Sequence, residues 1–128
     1  MRLVNRLCLF VLALVAAAPG ICDEYAGSVR LLVQSAPLAG FRYHAAAEVW
    51  HELRVGDALA LAREPDNPHD PNAIAVTWRG RKLGYVPRRD NATLAWGLDR
   101  GAPLQARISR LAPHPNPARR IEIEVFVE

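Results

Sequence analysis

The chain has 128 residues, of which 51% are hydrophobic and 23% are charged, and this is enough for one folded domain with its own core. Sixteen Lys and Arg residues against thirteen Asp and Glu residues give a formal charge of +3, and without Arg2 and Arg6 the balance is 14 − 13 = +1. So weak a charge excludes a protein that attracts polyanions through net charge alone, and any such partner must be recognised by local clusters. Neither a P-loop nor a G-x-S-x-G motif occurs, which argues against an NTPase and an α/β-hydrolase.

The first 22 residues have the pattern of a secretory signal peptide. Arg2 and Arg6 precede an apolar run from Leu7 to Val15, and small residues follow that run. The run is too short to span a bilayer comfortably, and no second apolar segment follows it. We therefore expect residues 1–22 to be a signal peptide and residues 23–128 to be a single domain. The domain would be exported to the periplasm or secreted, with a signal-anchored form facing the periplasm as the alternative.

The two cysteines do not predict a disulfide. Cys8 lies inside the predicted signal and Cys22 lies at its end, so the exported domain depends on an ordinary hydrophobic core. Lipidation of Cys22 is an alternative, although Pro19-Gly20-Ile21 is a poor lipobox.

The first half of the domain alternates between short apolar runs and turns. Branched apolar residues predict a strand at Ser28–Gln34, and Val49 and Leu53, four residues apart, predict one or two helical turns at Ala45–Leu53. Alternation at Leu59 and Leu61 predicts a second strand after the turn at Gly56-Asp57.

The second half begins with a hairpin and ends with a strictly alternating strand. The hairpin strands are predicted at Ala73–Trp78 and Lys82–Pro87, joined by Arg79-Gly80-Arg81. A helix follows, capped by Asp90 and ended by Gly101, and two further strands are predicted at Leu104–Ile108 and Ile121–Val127. Six short strands with one or two short helices predict a mainly β fold, a small, partly open barrel of the OB-like type. We interpret the three tryptophans as core anchors.

The segment Glu64–Asn72, with the sequence EPDNPHDPN, is a stiff, charged loop between two predicted strands. Its prolines restrict the unfolded chain, so that the shape of the loop costs little entropy to fix. Asp66, Asn67, Asp70 and Asn72 are the residue types whose side chains accept hydrogen bonds from neighbouring backbone donors in turns. On residue chemistry alone, the loop is a rigid connector or a binding element.

The run from Arg63 to Val76, followed by Leu83-Gly84-Tyr85-Val86-Pro87, resembles a HIRAN domain, as does Gly40-Phe41-Arg42-Tyr43 upstream. The resemblance extends from about Val29 to the end of the chain. It implies a modified OB-like barrel that binds nucleic acid. In eukaryotic members the domain precedes a fork-remodelling helicase and captures the 3′-hydroxyl end of single-stranded DNA. The resemblance thus implies a binding module without catalytic activity.

Carried over residue by residue, the resemblance implies a nucleic-acid-binding pocket built from three segments of this chain. Its members would be Arg42 and Tyr43 (phosphate contact and base stacking), Asn67 (support of the pocket), His69, Asp70 (acceptor for the terminal 3′-hydroxyl), and Tyr85 and Arg88 (facing the sugar-phosphate chain). His69 departs from the family pattern, because the members that bind DNA ends have a second stacking tyrosine there. The residue chemistry agrees with this role, since aromatic faces stack on any base and arginine forks suit phosphates.

We therefore predict a non-enzymatic module that binds nucleic acid, with single-stranded DNA 3′-hydroxyl ends as the favoured ligand and a monomer as the favoured state. The alternative is an exported envelope binding or interaction module that keeps the barrel and binds another ligand. No cofactor is expected, because the four histidines lack metal-site spacing; zinc at a composite site such as His69 with Asp70 is the minor alternative. A hydrolase activity, by association with neighbouring domains in the family, is a distant third.

Overall fold

The computed structural model describes residues 29–128, and its elements follow the order anticipated from the sequence. The strands are β1 (Leu31–Pro37), β2 (Ala58–Arg63), β3 (Ile74–Trp78), β4 (Arg81–Tyr85), β5 (Leu104–Leu111) and β6 (Ile121–Val127), and the α-helices are α1 (Ala46–Val49) and α2 (Ala92–Asp99). Short 3₁₀ turns lie at Phe41–Tyr43, Trp50–Glu52, Arg88–Asp90 and Pro117–Arg119.

The six strands form one antiparallel sheet in the order β1-β6-β5-β2-β3-β4. The sheet does not close strand to strand, but an isolated bridge between Ala39 and Tyr85 joins the segment after β1 to the opposite edge strand, β4. This bridge draws the two edges of the sheet towards each other. The prediction of a mainly β, partly open, six-stranded structure is confirmed.

The core lies on the inner face of the curved sheet, and strand periodicity explains which residues reach it. Ile121, Ile123 and Val125 alternate along β6 and are almost completely buried, whereas the glutamates between them are partly exposed. In β3, by contrast, the consecutive residues Ile74, Ala75 and Val76 are all buried, so this strand is covered on both faces. The core therefore supports the loop before β3 directly.

The predicted hairpin between β3 and β4 is confirmed, but its turn has two residues and not three, because Arg81 pairs with Trp78 and belongs to β4. Arg79 has φ 47° and Gly80 has φ 78°. Positive φ at both central residues is the geometry of the type I′ turn, whose twist matches the flanking strands.

Three sequence expectations need correction. Asp90 does not cap α2, because it ends the 3₁₀ turn Arg88–Asp90 and Asn91 occupies the cap position without a capping side-chain bond. β1 runs from Leu31 to Pro37 rather than from Ser28 to Gln34, because its pairing with β6 continues to Pro37. Trp96 is 59% exposed, with the Arg100 guanidinium 3.9 Å from its ring centroid, so it is not a core anchor, whereas Trp78 is buried.

Within residues 29–128, no helix has the length and apolar character needed to cross a membrane. The predicted signal peptide and both cysteines lie outside the described residues.

Candidate nucleic-acid interface

A cavity of about 620 Å³ opens between the loop that precedes β3, the segment that follows β1, and the end of β4. We call it the loop cavity. It is lined by Ala39, Gly40, Tyr43, His44, Asn67, His69, Asp70, Ala73, Tyr85, Val86 and Arg88.

Two glycines allow the segment after β1 to form one wall of this cavity. A Cβ on Gly84 of β4 would lie 2.1 Å from the Ala39 carbonyl oxygen, so only glycine permits the close approach. Two backbone hydrogen bonds stabilise this contact between the two segments: Ala39 N–H donates to the Tyr85 carbonyl at 2.8 Å, and Tyr85 N–H donates to the Ala39 carbonyl at 2.9 Å. Gly40, at φ 80°, then turns the chain into the Phe41–Tyr43 turn that presents Tyr43.

The first residue of the loop, Glu64, is the centre of a polar network. Its carboxylate accepts hydrogen bonds from the Lys82 ammonium at 2.8 Å, from the Tyr85 hydroxyl at 2.8 Å and from the Asn67 amide at 3.1 Å. The hydrogen bond from Lys82 is the main cause that lowers the pKa of Glu64, and the same bond raises the pKa of Lys82. The network ties the loop to β4 as a charged unit at neutral pH.

The ring of Tyr85 forms part of the cavity wall. The His44 ring meets it edge to face, with 5.3 Å between the centroids, and Lys82 Nζ lies 5.0 Å from its centroid. Burial, followed by the charge of Lys82, lowers the pKa of His44, so that this imidazole is neutral at pH 7. Because the Tyr85 hydroxyl already donates to Glu64, any ligand contact made by Tyr85 involves mainly the ring.

Asp70 is the carboxylate inside the cavity, and it is held by two donors. One oxygen accepts from the Asn72 backbone N–H at 2.9 Å, and the other accepts from the Asn91 amide at 2.6 Å. The Asn72 bond is the largest cause that lowers the pKa of Asp70, with further lowering from Asn91, Arg88 and Arg63. The carboxylate is therefore ionised at neutral pH and fixed in direction, while acceptor lone pairs remain for a ligand.

The loop is fixed by its own turns and by a clamp at its base. Asn67 accepts from the His69 N–H at 2.9 Å, and Asp70 accepts from the Asn72 N–H, which confirms for these two side chains the predicted role in turns. Arg63 donates to the Ala73 carbonyl at 2.8 Å and to the Pro71 carbonyl at 3.0 Å. The loop is thus an ordered platform that carries the cavity side chains.

Exposed aromatic and basic groups complete the cavity. Tyr43 is 83% exposed, which is unusual for a tyrosine, and its hydroxyl makes no hydrogen bond within residues 29–128 that would explain this position. His69 and Arg88 are also exposed. The cavity therefore combines two accessible rings, one guanidinium and one oriented carboxylate.

Among residues 29–128, no three His, Cys, Asp or Glu side chains are grouped so that they could hold a metal ion.

The model of the HIRAN domain family matches residues 31–128. The chain belongs to the HIRAN domain family. Among curated proteins, it is 39% identical over 67 residues to the Fanconi-associated nuclease 1 homolog of Oryza sativa subsp. japonica, which covers 49% of this chain and 6% of that protein. It is 35% identical over 78 residues to the Helicase-like transcription factor of Oryctolagus cuniculus, which covers 60% of this chain and 7% of that protein.

Two solved structures share the fold. A crystal structure of a protein from Lactobacillus plantarum superimposes with a TM-score of 0.67 at 29% identity, covering 78% of this chain and 96% of that one. The HIRAN domain of human HLTF superimposes with a TM-score of 0.56 at 21% identity, covering 76% of this chain and 78% of that one, and this likeness shows the fold. The chain spans only 6% and 7% of the curated relatives, so the match to them is a match to one module. Membership of the HIRAN family supports a DNA-binding module.

The HIRAN fold brings six of the seven predicted site residues to one place. Tyr43, Asn67, His69, Asp70, Tyr85 and Arg88 all line the loop cavity. Arg42 lies beside it, in a depression of about 150 Å³ that shares Gly40 and Tyr43 with the cavity.

Four participants were missed from the sequence. Lys82 opens the predicted strand that carries Tyr85, but its bond to Glu64 joins residues 18 positions apart. His44 follows the predicted Tyr43 directly, and Glu64 opens the predicted loop, so both had a positional signal. Asn91 had none: it is 2% exposed, lies 21 residues from Asp70, and belongs to the helix rather than the loop.

Proposed function

We propose that this HIRAN domain is a non-enzymatic module that captures the 3′-hydroxyl ends of single-stranded DNA in the loop cavity. The binding residues would be Arg42, Tyr43, Asn67, His69, Asp70, Tyr85 and Arg88. The proposal deepens the DNA-binding role that the family comparisons support.

The oriented carboxylate of Asp70 is the observation that carries the proposal. An ionised carboxylate accepts a hydrogen bond from a hydroxyl group and repels a phosphate, so it distinguishes the two ends that a DNA strand can carry. The bonds from Asn72 and Asn91 aim the carboxylate in advance, at no entropic cost when a ligand arrives. Arg88 in the same cavity offers a cation for the neighbouring internucleotide phosphate.

The rings of Tyr43 and His69 would provide stacking surfaces for the terminal bases. A base stacked on an aromatic side chain contributes about 1–3 kcal/mol and requires no particular sequence. Because the Tyr43 ring is already exposed in the free protein, stacking would bury apolar surface without first breaking a core contact.

The relatives match this chain over one module only, so no enzymatic activity is carried over from them. The matching segment makes up 6% of the nuclease homolog and 7% of the helicase-like transcription factor. In the proposed role the domain supplies recognition of the nucleic-acid end, with no metal or cofactor.

The test is fluorescence anisotropy of the purified protein with labelled single strands that end in a 3′-hydroxyl or a 3′-phosphate. We expect the hydroxyl end to bind more tightly. Asp70→Asn keeps the shape of the side chain but removes its charge, and it should reduce the preference by about tenfold, the value of a hydrogen bond to a charged group. Tyr43→Ala should weaken binding of both ends by about tenfold, the value of one stack.

Asp66→Asn is the matched control, because Asp66 is an exposed carboxylate of the same loop that does not line the cavity. Equal affinity for the two ends, or equal effects of Asp66→Asn and Asp70→Asn, would refute capture of the hydroxyl end. Absence of binding at low salt would refute the nucleic-acid role altogether and leave the exported interaction module.

We also propose that the domain is exported after cleavage of residues 1–22. The support is the charge and hydropathy pattern of that segment. Expression of the full chain in a bacterial host, followed by mass spectrometry of the periplasmic fraction, should find a product beginning near Asp23. A full-length product confined to the cytoplasm would contradict export.

A further inference from the structure

A second cavity, of about 610 Å³, lies where the β1–β6 edge of the sheet meets the loop before β6, and we call it the arginine groove. It is lined by Ser35, Ala36, Pro37, Arg89, Arg110, His114, Asn116, Ala118, Arg119, Ile121 and Glu122. Three of these residues are arginines and one is a glutamate, so the groove is locally basic in a protein whose overall charge is small. None of the roles derived above uses this groove.

The arginines of the groove are only weakly engaged within the protein. Arg110 lies 4.0 Å from Glu122, and Arg89 lies 3.4 Å from Asp90. The side chains of Arg110 and Arg89 are 66% and 77% exposed, so these pairs contribute little and can exchange partners. Arg119 is exposed and makes no ion pair with a carboxylate in the described part of the chain.

The loop that carries Arg119 is nevertheless ordered. Asn116 accepts a hydrogen bond from the Ala118 N–H at 3.0 Å and caps the 3₁₀ turn that contains Arg119. The neighbouring Arg120 has a structural role, since it donates to the His114 carbonyl at 2.7 Å and lies over the Phe41 ring at 5.0 Å. The two consecutive arginines therefore differ in role: Arg120 stabilises the loop, and Arg119 is exposed to solvent.

Shared lining residues connect the groove to the loop cavity. Gly40 and Tyr43 line both the loop cavity and the depression that contains Arg42, and Asn116 and Ala118 line both that depression and the groove. The Arg88–Asp90 turn makes a second connection, because Arg88 lines the loop cavity and Arg89 lines the groove. Basic side chains therefore follow one another along a continuous surface.

We propose that the arginine groove is a second nucleic-acid subsite, which binds the backbone phosphates of the strand on the 5′ side of the end held in the loop cavity. The strand passes Tyr43 and Arg42 and enters the groove, where Arg89, Arg110 and Arg119 contact phosphates. This inference rests on the proposed function, because it needs an end in the loop cavity to set the direction of the strand. Guanidinium forks suit phosphates, and a mainly polar groove suits a backbone better than bases.

The experiment compares labelled single strands of three and twelve nucleotides, both ending in a 3′-hydroxyl, across a salt series. The longer strand is within the range of about 4–16 nucleotides per OB fold. The wild-type protein should bind it more tightly than the shorter one. In Arg110→Gln/Arg119→Gln, we expect the twelve-nucleotide strand to lose about tenfold in affinity, the value of two exposed ion pairs. Its salt slope should become less steep by about 1.4, at about 0.7 per phosphate contact. Binding of the three-nucleotide strand should not change.

The matched control is Arg79→Gln/Arg100→Gln, which removes the same charge from exposed positions that line neither cavity. If the longer strand gains nothing over the shorter one, or if the groove variant loses no more than the control, the groove is not a subsite, while binding of the short strand still supports the loop cavity. If only the longer strand binds and the groove variant abolishes that binding, the groove binds phosphates on its own, and both the end pocket and the role of the groove as its second subsite are refuted. Absence of all binding refutes both.

Discussion

Replacing Asn91 by aspartate should test the bond that aims the Asp70 carboxylate. Asn91 is 2% exposed, and its amide donates to Asp70 over 2.6 Å. Its side chain does not cap α2, so a substitution alters the Asp70 contact without removing a helix cap. Asn91→Asp has nearly the same shape but opposes two carboxylates at hydrogen-bond distance, which raises the pKa of the pair.

The size of the destabilisation follows from the free energy needed to protonate one carboxylate of the pair. The pair can always relieve its repulsion by binding one proton, and at pH 7 this costs about 4 kcal/mol for a carboxyl with an ordinary pKa near 4. At pH 5 the same proton costs only about 1.5 kcal/mol. Once protonated, the new carboxyl donates to Asp70 as the amide did. The loss in free energy of unfolding, relative to wild type, should therefore shrink by about 2.5 kcal/mol between pH 7 and pH 5.

The pH dependence of stability expected for the Asn91→Asp variant is opposite in sign to that of the native Asp70 carboxylate. The pKa of Asp70 is lowered in the folded protein, so its stabilising contribution is present above its unfolded pKa and is lost as pH falls through the folded pKa, well below pH 5. The variant's pair has a raised pKa and becomes less destabilising as pH falls. Urea unfolding of wild type, Asn91→Asp and Asn91→Ala at both pH values separates these effects, because Asn91→Ala should lose about 1–3 kcal/mol at either pH. A loss for Asn91→Asp that does not exceed that of Asn91→Ala at pH 7, or that stays constant with pH, would refute the reasoning.

Two further substitutions test the wall and the stacking surface of the loop cavity. Gly84→Ala places a Cβ 2.1 Å from the Ala39 oxygen and should lower the free energy of unfolding by several kcal/mol, on the order of the largest point-mutant effects. Gly101→Ala is the control, because a Cβ there meets open space and only the backbone angle, φ 77°, opposes it. The control should lose about 1–2 kcal/mol. Similar thermal unfolding midpoints for the two variants would contradict the close approach. His69→Tyr should strengthen binding of single strands by about 1 kcal/mol or more through a larger stacking face, measured by anisotropy, and unchanged affinity would show that position 69 does not contact a base.

The strands were predictable from the sequence where one face of the strand is buried. They were less predictable where pairing with a neighbouring strand decides where the strand begins and ends. Ile121, Ile123 and Val125 alternate with glutamates, and the structure buries these three side chains. The bounds of β1 were shifted, because its extent depends on register with β6 and not on its own apolar residues, several of which are exposed. Trp96 was misassigned for a similar reason: its residue type favours burial, but its place on α2 and its contact with Arg100 keep it at the surface.

The candidate site was predictable as a set of residues and not as a network of contacts. The resemblance to the HIRAN family named six residues that the fold brings to one cavity. The bonds that fix their geometry join residues far apart in the chain, such as Asn91 to Asp70 and Lys82 to Glu64. No local signal predicts such pairs, because they arise only when α2, β4 and the loop pack on the same core.

The substitution of histidine at position 69 shifts the balance between affinity and selectivity in the proposed site. A clamp of two large rings would supply roughly two stacks of about 1–3 kcal/mol each, whereas one tyrosine and one smaller imidazole supply less. A hydrogen bond from a terminal hydroxyl to the ionised Asp70 is worth about 1.5–3 kcal/mol, as much as the stacking it accompanies. In this chain the chemistry of the end would therefore contribute about as much to binding as stacking does. The affinity that stacking no longer provides would come from the phosphate contacts of Arg42 and the arginine groove. Binding should then depend strongly on salt for long strands and on the terminal group for short ones.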